Sequence, residues 1–202
     1  MNKSISPEDA FIFASKSNLD FIVTFHNEVK RNFQNEISRI NEQLEISDSL
    51  SGQEKTFLEA RKNLYINTFE PYLRINTFLM MVSHLEEWLF HTWKGQAPTT
   101  ELLEAKGSIG RFKPVLKDIG VDLSRSKSWV FLKGCQDIRS CLLHANGRVS
   151  LNRNPEKVRN FVAQHGDMIS IEADRLVLTG KFLGCFREAA ERLIQSGSKT
   201  EG

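Results

Sequence analysis

The sequence predicts an all-α fold, an up-and-down bundle of four main helices with a C-terminal helix and a small β-hairpin. Apolar residues recur at spacings of three and four over long stretches, which is the period of a helix with one buried face. Cap residues stand where those stretches begin, and only one short segment near the C-terminus favours strands instead. A chain of 202 residues that is 40% hydrophobic and 26% charged has material for a real core, so one domain over 1–202 is expected.

The first helix opens at Ser6-Pro7-Glu8-Asp9, where a hydroxyl can cap, proline fits the first turn and acids face the dipole. Ile22, Phe25, Val29, Phe33, Ile37, Ile40 and Leu44 then mark one buried stripe to about residue 46. A turn follows at 47–52, and Ser51-x-x-Glu54 reads as a capping box. The second helical stretch covers about 53–94, with Leu58, Tyr65, Phe69, Phe78, Val82, Leu85, Trp88 and Leu89 as expected core. Pro71 lacks an amide hydrogen, so a kink or break is expected near 67–71. A straight helix of that length would span about 60 Å, so bending, or projection as an arm, is expected.

A loop is expected at 95–100. Ile109, Phe112, Leu116 and Ile119 define a third helix, interrupted at Pro114 or beginning there, that Gly120 closes. Serines at 124–128 offer caps for a fourth helix, about 126–146, which stops at Asn146-Gly147. Asn154-Pro155 starts a short helix ending near His165-Gly166. Met168-Ile-Ser-Ile-Glu and Arg175-Leu-Val-Leu-Thr form a hairpin over about 168–179. Thr179 caps the last helix, which buries Phe182, Leu183, Phe186, Ala190 and Leu193 and frays over 196–202.

The chemistry concentrates at Ile138-Arg139-Ser140-Cys141-Leu142-Leu143-His144-Ala145-Asn146-Gly147. Histidine exchanges protons near neutrality, and arginine keeps its charge and offers a planar fork to phosphate oxygens. RNA carries its own nucleophile, the ribose 2′-hydroxyl, so a base and a cation could cleave it without metal. On a helix, positions five apart point about 140° away from each other. Three ways of joining the pair are open: the arginine wraps round the helix, Gly147 ends the regular turns near the histidine, or a second protomer completes the site. The bland alternative is that both side chains complement the helix dipole.

The Arg-x4-His spacing, the preceding helix from Trp129 and the following Ala145-Asn146-Gly147-Arg148 resemble the signature of the HEPN domain, a helical superfamily rich in prokaryotic ribonucleases. The likeness covers most of 8–195. It implies a homodimer whose two Arg139/His144 pairs meet in one cleft and cut single-stranded RNA without metal or other cofactor. His144 would move the proton and Arg139 would hold phosphate, with Ser140 and Asn146 in support. Ser140 stands where many relatives carry Asn, Asp or His. Asn146 stands where one subgroup has a modifiable tyrosine, so that form of control is not carried over. A toxin or antiphage role follows from the resemblance, with a possible antitoxin or regulatory protein as partner. The alternative it leaves open is a non-catalytic RNA-binding or dimerising module.

Charge is segmental. Residues 106–165 carry 12 Lys+Arg against 4 Asp+Glu, net +8, which leaves −6 for the rest of the chain. Lys133, Arg148 and Arg153 are the expected RNA-binding cations, in a field suited to a polyanion if it gathers on one face.

Other constellations are weaker. His84, Glu87 and His91 share a helix face but lack a fourth metal ligand. Asp137, Ser140 and His144 share one too, yet a mid-helix serine has no strained elbow or oxyanion hole. Trp88, Trp93 and Trp129 could stack bases, although their spacing suits core. No phosphate-binding loop occurs. Three cysteines without metal spacing, no apolar leader and no long apolar run indicate a reduced, cytoplasmic protein with no membrane segment.

Overall fold

The structure, a computed structural model, describes residues 7–46, 50–95 and 109–197. It is helical apart from one hairpin. In chain order it comprises α1 (Pro7–Ile46), α2 (Gly52–Leu64), α3 (Glu70–Gly95), α4 (Lys113–Asp118), α5 (Lys127–His144), α6 (Pro155–Gln164), β1 (Ile169–Glu172), β2 (Arg175–Leu178) and α7 (Gly180–Ser196). A π turn, Tyr65–Phe69, joins α2 to α3, and single 3-10 turns precede α4 and α6. The cap expected at Ser6, most of the loop at 95–100 and Lys106 fall outside the described residues.

Local chemistry accounts for the ends. Ser51 and Glu54 form the reciprocal capping box at the start of α2. Ser126 Oγ accepts from the Trp129 amide at α5, and Thr179 Oγ1 from the Phe182 amide at α7. Gly120, with φ of 78°, closes α4. Pro71 is absorbed by the π turn ahead of it: the ring cannot pack against the carbonyl four residues back, and widening the turn relieves that clash. β1 and β2 pair antiparallel in register Ile169↔Leu178 to Glu172↔Arg175 around a turn with Ala173 and Asp174 both at positive φ. Ser196 still belongs to α7 and Gly197 is buried, so the helix runs slightly past its expected end.

The core is built on aromatic contacts. Phe182 of α7 stacks edge-on against Phe78 of α3 at 5.1 Å and meets Phe131 of α5 at 6.0 Å and Phe161 of α6 at 6.4 Å. The sequence placed Phe25 in the buried stripe of α1, but Phe25 is exposed and His26 is buried in its stead. Four residues on from Ile22 returns to within 40° of the same face, whereas three residues falls 60° short. His26 tolerates burial because its Nδ1–H donates to Thr77 Oγ1 at 2.8 Å, a hydroxyl that itself donates to the Leu73 carbonyl.

Leu58, Tyr65 and Phe69 were likewise expected in the core, yet neither α2 nor the π turn after it buries a residue. Tyr65 and Phe69 instead cluster with Phe33, and Arg61 pairs with Glu36 at 3.1 Å. The end of α1 and α2 thus pair as an antiparallel arm outside the main cluster, as the length of α1, about 60 Å, requires. No helix among the described residues is long and apolar enough to cross a membrane.

Burial, with Lys30 and Arg74 nearby, pushes the His26 imidazole below its usual range, while Glu70 opposes. Above the unfolded-state value of about 6.5 both states are neutral; below it the unfolded chain takes up a proton that the native chain refuses, so stability falls on acidification. Melting temperature is therefore expected to drop more steeply between about pH 7.5 and pH 5.5 in the native chain than in His26→Asn, which keeps a donor for Thr77. Parallel profiles would contradict this.

Candidate functional site

α5 carries the candidate residues because its two sides have different chemistry. Trp129, Leu132, Cys135, Ile138, Cys141 and Leu142 are buried. Lys133, Asp137, Ser140 and His144 recur at i, i+4, i+7 and i+11 and form a polar stripe on the outer side. Trp88 and Trp129 are buried in the core, so neither offers a face for stacking. Cys135 and Cys141 are buried as well, and burial pushes both thiols up.

α5 stays regular through His144, and only then does the chain turn. Asn146 and Gly147 take the left-handed region at φ of 49° and 74°, and the Gly147 amide returns to the Cys141 carbonyl at 3.0 Å. The early end of the helix, one of the three ways of bringing the pair together, is therefore not realised. Arg139 and His144 stay splayed by about 140°, and no hydrogen bond joins them among the described residues.

Each has its own setting. Arg139, mostly buried, places Nη2 3.4 Å from Glu86 Oε2 of α3. His144 is exposed and makes no hydrogen bond or ion pair among the described residues. Glu86 had no signal in the sequence, because a carboxylate in His84-Leu85-Glu86-Glu87 looks like solvated helix face. Its pairing with Arg139 arises only from the packing of α3 against α5.

Asn146 has its carbonyl occupied by Arg175 Nη1 at 3.0 Å. Ser140 is half-buried with no bond to Asp137 or His144 among the described residues, so no hydrolase triad forms. The hairpin buttresses the turn behind His144. Leu176 donates to the Gly147 carbonyl, Val149 donates to the Asp174 carbonyl, and Ser150 bonds the Asp174 carboxylate. The Ser150 bonds hold the Asp174 carboxyl below the usual range, with Arg148 and Arg159 adding to the effect.

The expected RNA-binding cations lie on three different segments. Lys133 lies on the polar stripe, Arg148 on the bridge to Arg175, and Arg153 in the segment before α6. Three other cations of the basic segment do converge: Arg125, Lys127 and Lys157 line a groove between the start of α5 and α6. Gly134 makes the close approach of those helices possible, since a Cβ there would lie 2.5 Å from the Phe161 ring.

The metal alternative loses its geometry. His84 Nε2–H donates to the Ser15 carbonyl at 2.8 Å, and no cluster of three His, Cys, Asp or Glu residues suited to a metal occurs among the described residues. Comparison with protein-family models, curated proteins and solved structures found no match.

Gly134→Ala is expected to destabilise the protein by about 1–3 kcal/mol despite alanine's better helix propensity, because the methyl collides with Phe161. Denaturant unfolding checks this, and a variant as stable as the parent would show that α6 can yield.

Proposed function

We propose that this chain is a metal-independent endoribonuclease of the HEPN kind, acting on single-stranded RNA as a homodimer. The observation that carries the reading is the state of the pair at the end of α5. His144 stands exposed with no hydrogen bond or ion pair among the described residues, while Arg139 is held by one carboxylate at the margin of an exposed apolar face.

That face supports a second copy as partner. Phe21 and Phe25 of α1 are 69% and 55% exposed, and Met80 and Phe90 of α3 are 45% and 41% exposed. Phe11 meets His91 at 6.1 Å, which joins the α1 and α3 parts, and Leu143 of α5 lies one turn beyond Arg139. Exposed aromatic side chains in such number mark an interaction surface in a water-soluble fold. A two-fold axis across it would bring two Arg139 and two His144 side chains toward one cleft, which the 140° splay denies to a single chain.

In the proposed reaction the 2′-oxygen attacks the adjacent phosphorus and the P–O5′ bond breaks. His144 takes the 2′-hydroxyl proton as base and, as imidazolium, delivers it to the departing 5′-oxygen as the P–O5′ bond breaks. A 2′,3′-cyclic phosphate and a 5′-hydroxyl result, so atoms and charge balance without water or metal. Arg139 leaves Glu86 for the phosphate and offsets charge developing on its oxygens. Ser140 and Asn146 support the phosphate or the imidazole. A cytoplasmic toxin or antiphage role, held in check by an antitoxin or regulatory protein, fits such an activity.

The Arg139–Glu86 pair also favours a second reading. A guanidinium already neutralised by a carboxylate suits a non-catalytic RNA-binding or dimerising module.

The two readings separate on end-labelled single-stranded RNA in EDTA. The native chain is expected to leave cyclic-phosphate ends, and His144→Ala and Arg139→Ala to lose about 100-fold or more in rate. Binding without cleavage by all three would support the non-catalytic module. Phe21→Glu is expected to give a folded monomer by sedimentation with cleavage lost to a similar degree; an active monomer would remove the dimer from the mechanism.

A further inference from the structure

We propose that the groove between the start of α5 and α6 is a second RNA-binding site, an exosite for the backbone of single-stranded RNA remote from His144. It deepens the ribonuclease reading and rests on it for the identity of the polyanion. The groove has a volume of ≈ 650 Å³. Arg125, Lys127 and Lys157 line it, all exposed and none in an ion pair among the described residues. Asp137 is the single carboxylate in its lining, so three cations face one anion.

Cations converging in excess of the anions beside them repel one another, and a bound polyanion relieves that repulsion. The adjoining groove extends the field. It shares Ser124 with the first and adds Lys113 and Lys117 against Asp122. At its base lie the half-buried rings of Phe131 and His165, packed on the buried Phe161; the His165 ring centroid is 4.4 Å from Phe161 and 5.3 Å from Phe131. Rings beneath a cationic rim are the pairing that single-stranded nucleic acid uses, bases on the rings and phosphates on the rim. An acidic protein segment would use the rim and leave the rings idle.

Position ties the groove to the reaction. Lys127 and His144 lie at opposite ends of α5, about 25 Å apart along its axis. Asp137 lines the groove and lies seven residues before His144, which returns it to the same side of the helix. A strand seated in the groove therefore runs along α5 toward His144, and a dinucleotide is too short to reach both.

Fluorescence anisotropy with a labelled single-stranded RNA of roughly 20 nucleotides tests this, using His144→Ala protein so that the probe survives. Adding R125E, K127E and K157E is expected to weaken binding at least tenfold and to flatten the dependence of log K on log salt by about 2 units. A control reversing Lys16, Lys55 and Lys62, which lie away from the groove, is expected to bind like the parent. Equal loss in both variants, or no loss in the first, would overturn the exosite. In a chain with His144 intact, the groove variant is expected to cleave a dinucleotide at the parent rate but a long RNA more slowly. Cleavage of the dinucleotide reports on Arg139 and His144 alone, so failure of the exosite and failure of the ribonuclease reading give different results.

Discussion

The packing of Phe182 fixes how the helices around the candidate site lie against one another. One ring at the start of α7 touches Phe78, Phe131 and Phe161, and so ties α3, α5 and α6 to a common centre. Edge-on aromatic pairs are specific in angle as well as favourable, and a cluster of them sets the rotation of each helix about its own axis. With α5 so rotated, Arg139 faces α3 and finds Glu86, while His144 faces outward. The same contact holds α6 against α5, where Gly134 admits Phe161, and thereby shapes the groove lined by Arg125, Lys127 and Lys157.

Function then becomes a matter of which surfaces the core leaves unsatisfied. Three stand out: exposed apolar side chains on α1, α3 and α5, an exposed imidazole at the end of α5, and cations near its start that make no ion pair among the described residues. On the proposed reading, a second copy of the chain, a ribose hydroxyl and an RNA backbone would be their chemical complements. In the proposed reaction Glu86 would give the arrangement a resting state, the arginine keeping its carboxylate until a phosphate displaces it.

The helices and their caps were legible because they depend on neighbours in sequence. Ser51 with Glu54, Thr179, Gly120 and Asn146-Gly147 each act within one or two turns of chain. Faces were less legible where polar and apolar residues trade places: Phe25 and His26 differ by one step in register, and only Thr77, 51 residues away, makes the buried histidine tolerable. The candidate pair was legible as spacing, but its partners were not. Glu86 lies more than 50 residues from Arg139 in sequence and meets it through helix packing alone. The charge of the basic segment was visible as composition, while its gathering around Lys127 and Lys157 depends on α6 folding back over α5.

The central claim is that two side chains splayed on one helix become a site only when two chains meet. Mixing Arg139→Ala and His144→Ala proteins, each expected to be inactive alone, tests it most directly, because a mixed dimer would hold one intact arginine and one intact histidine on different protomers. Recovery of RNA cleavage on mixing, in proportion to the mixed dimer present, is the predicted result. A mixture that exchanges subunits yet cleaves no RNA, beside an active native chain, would contradict it.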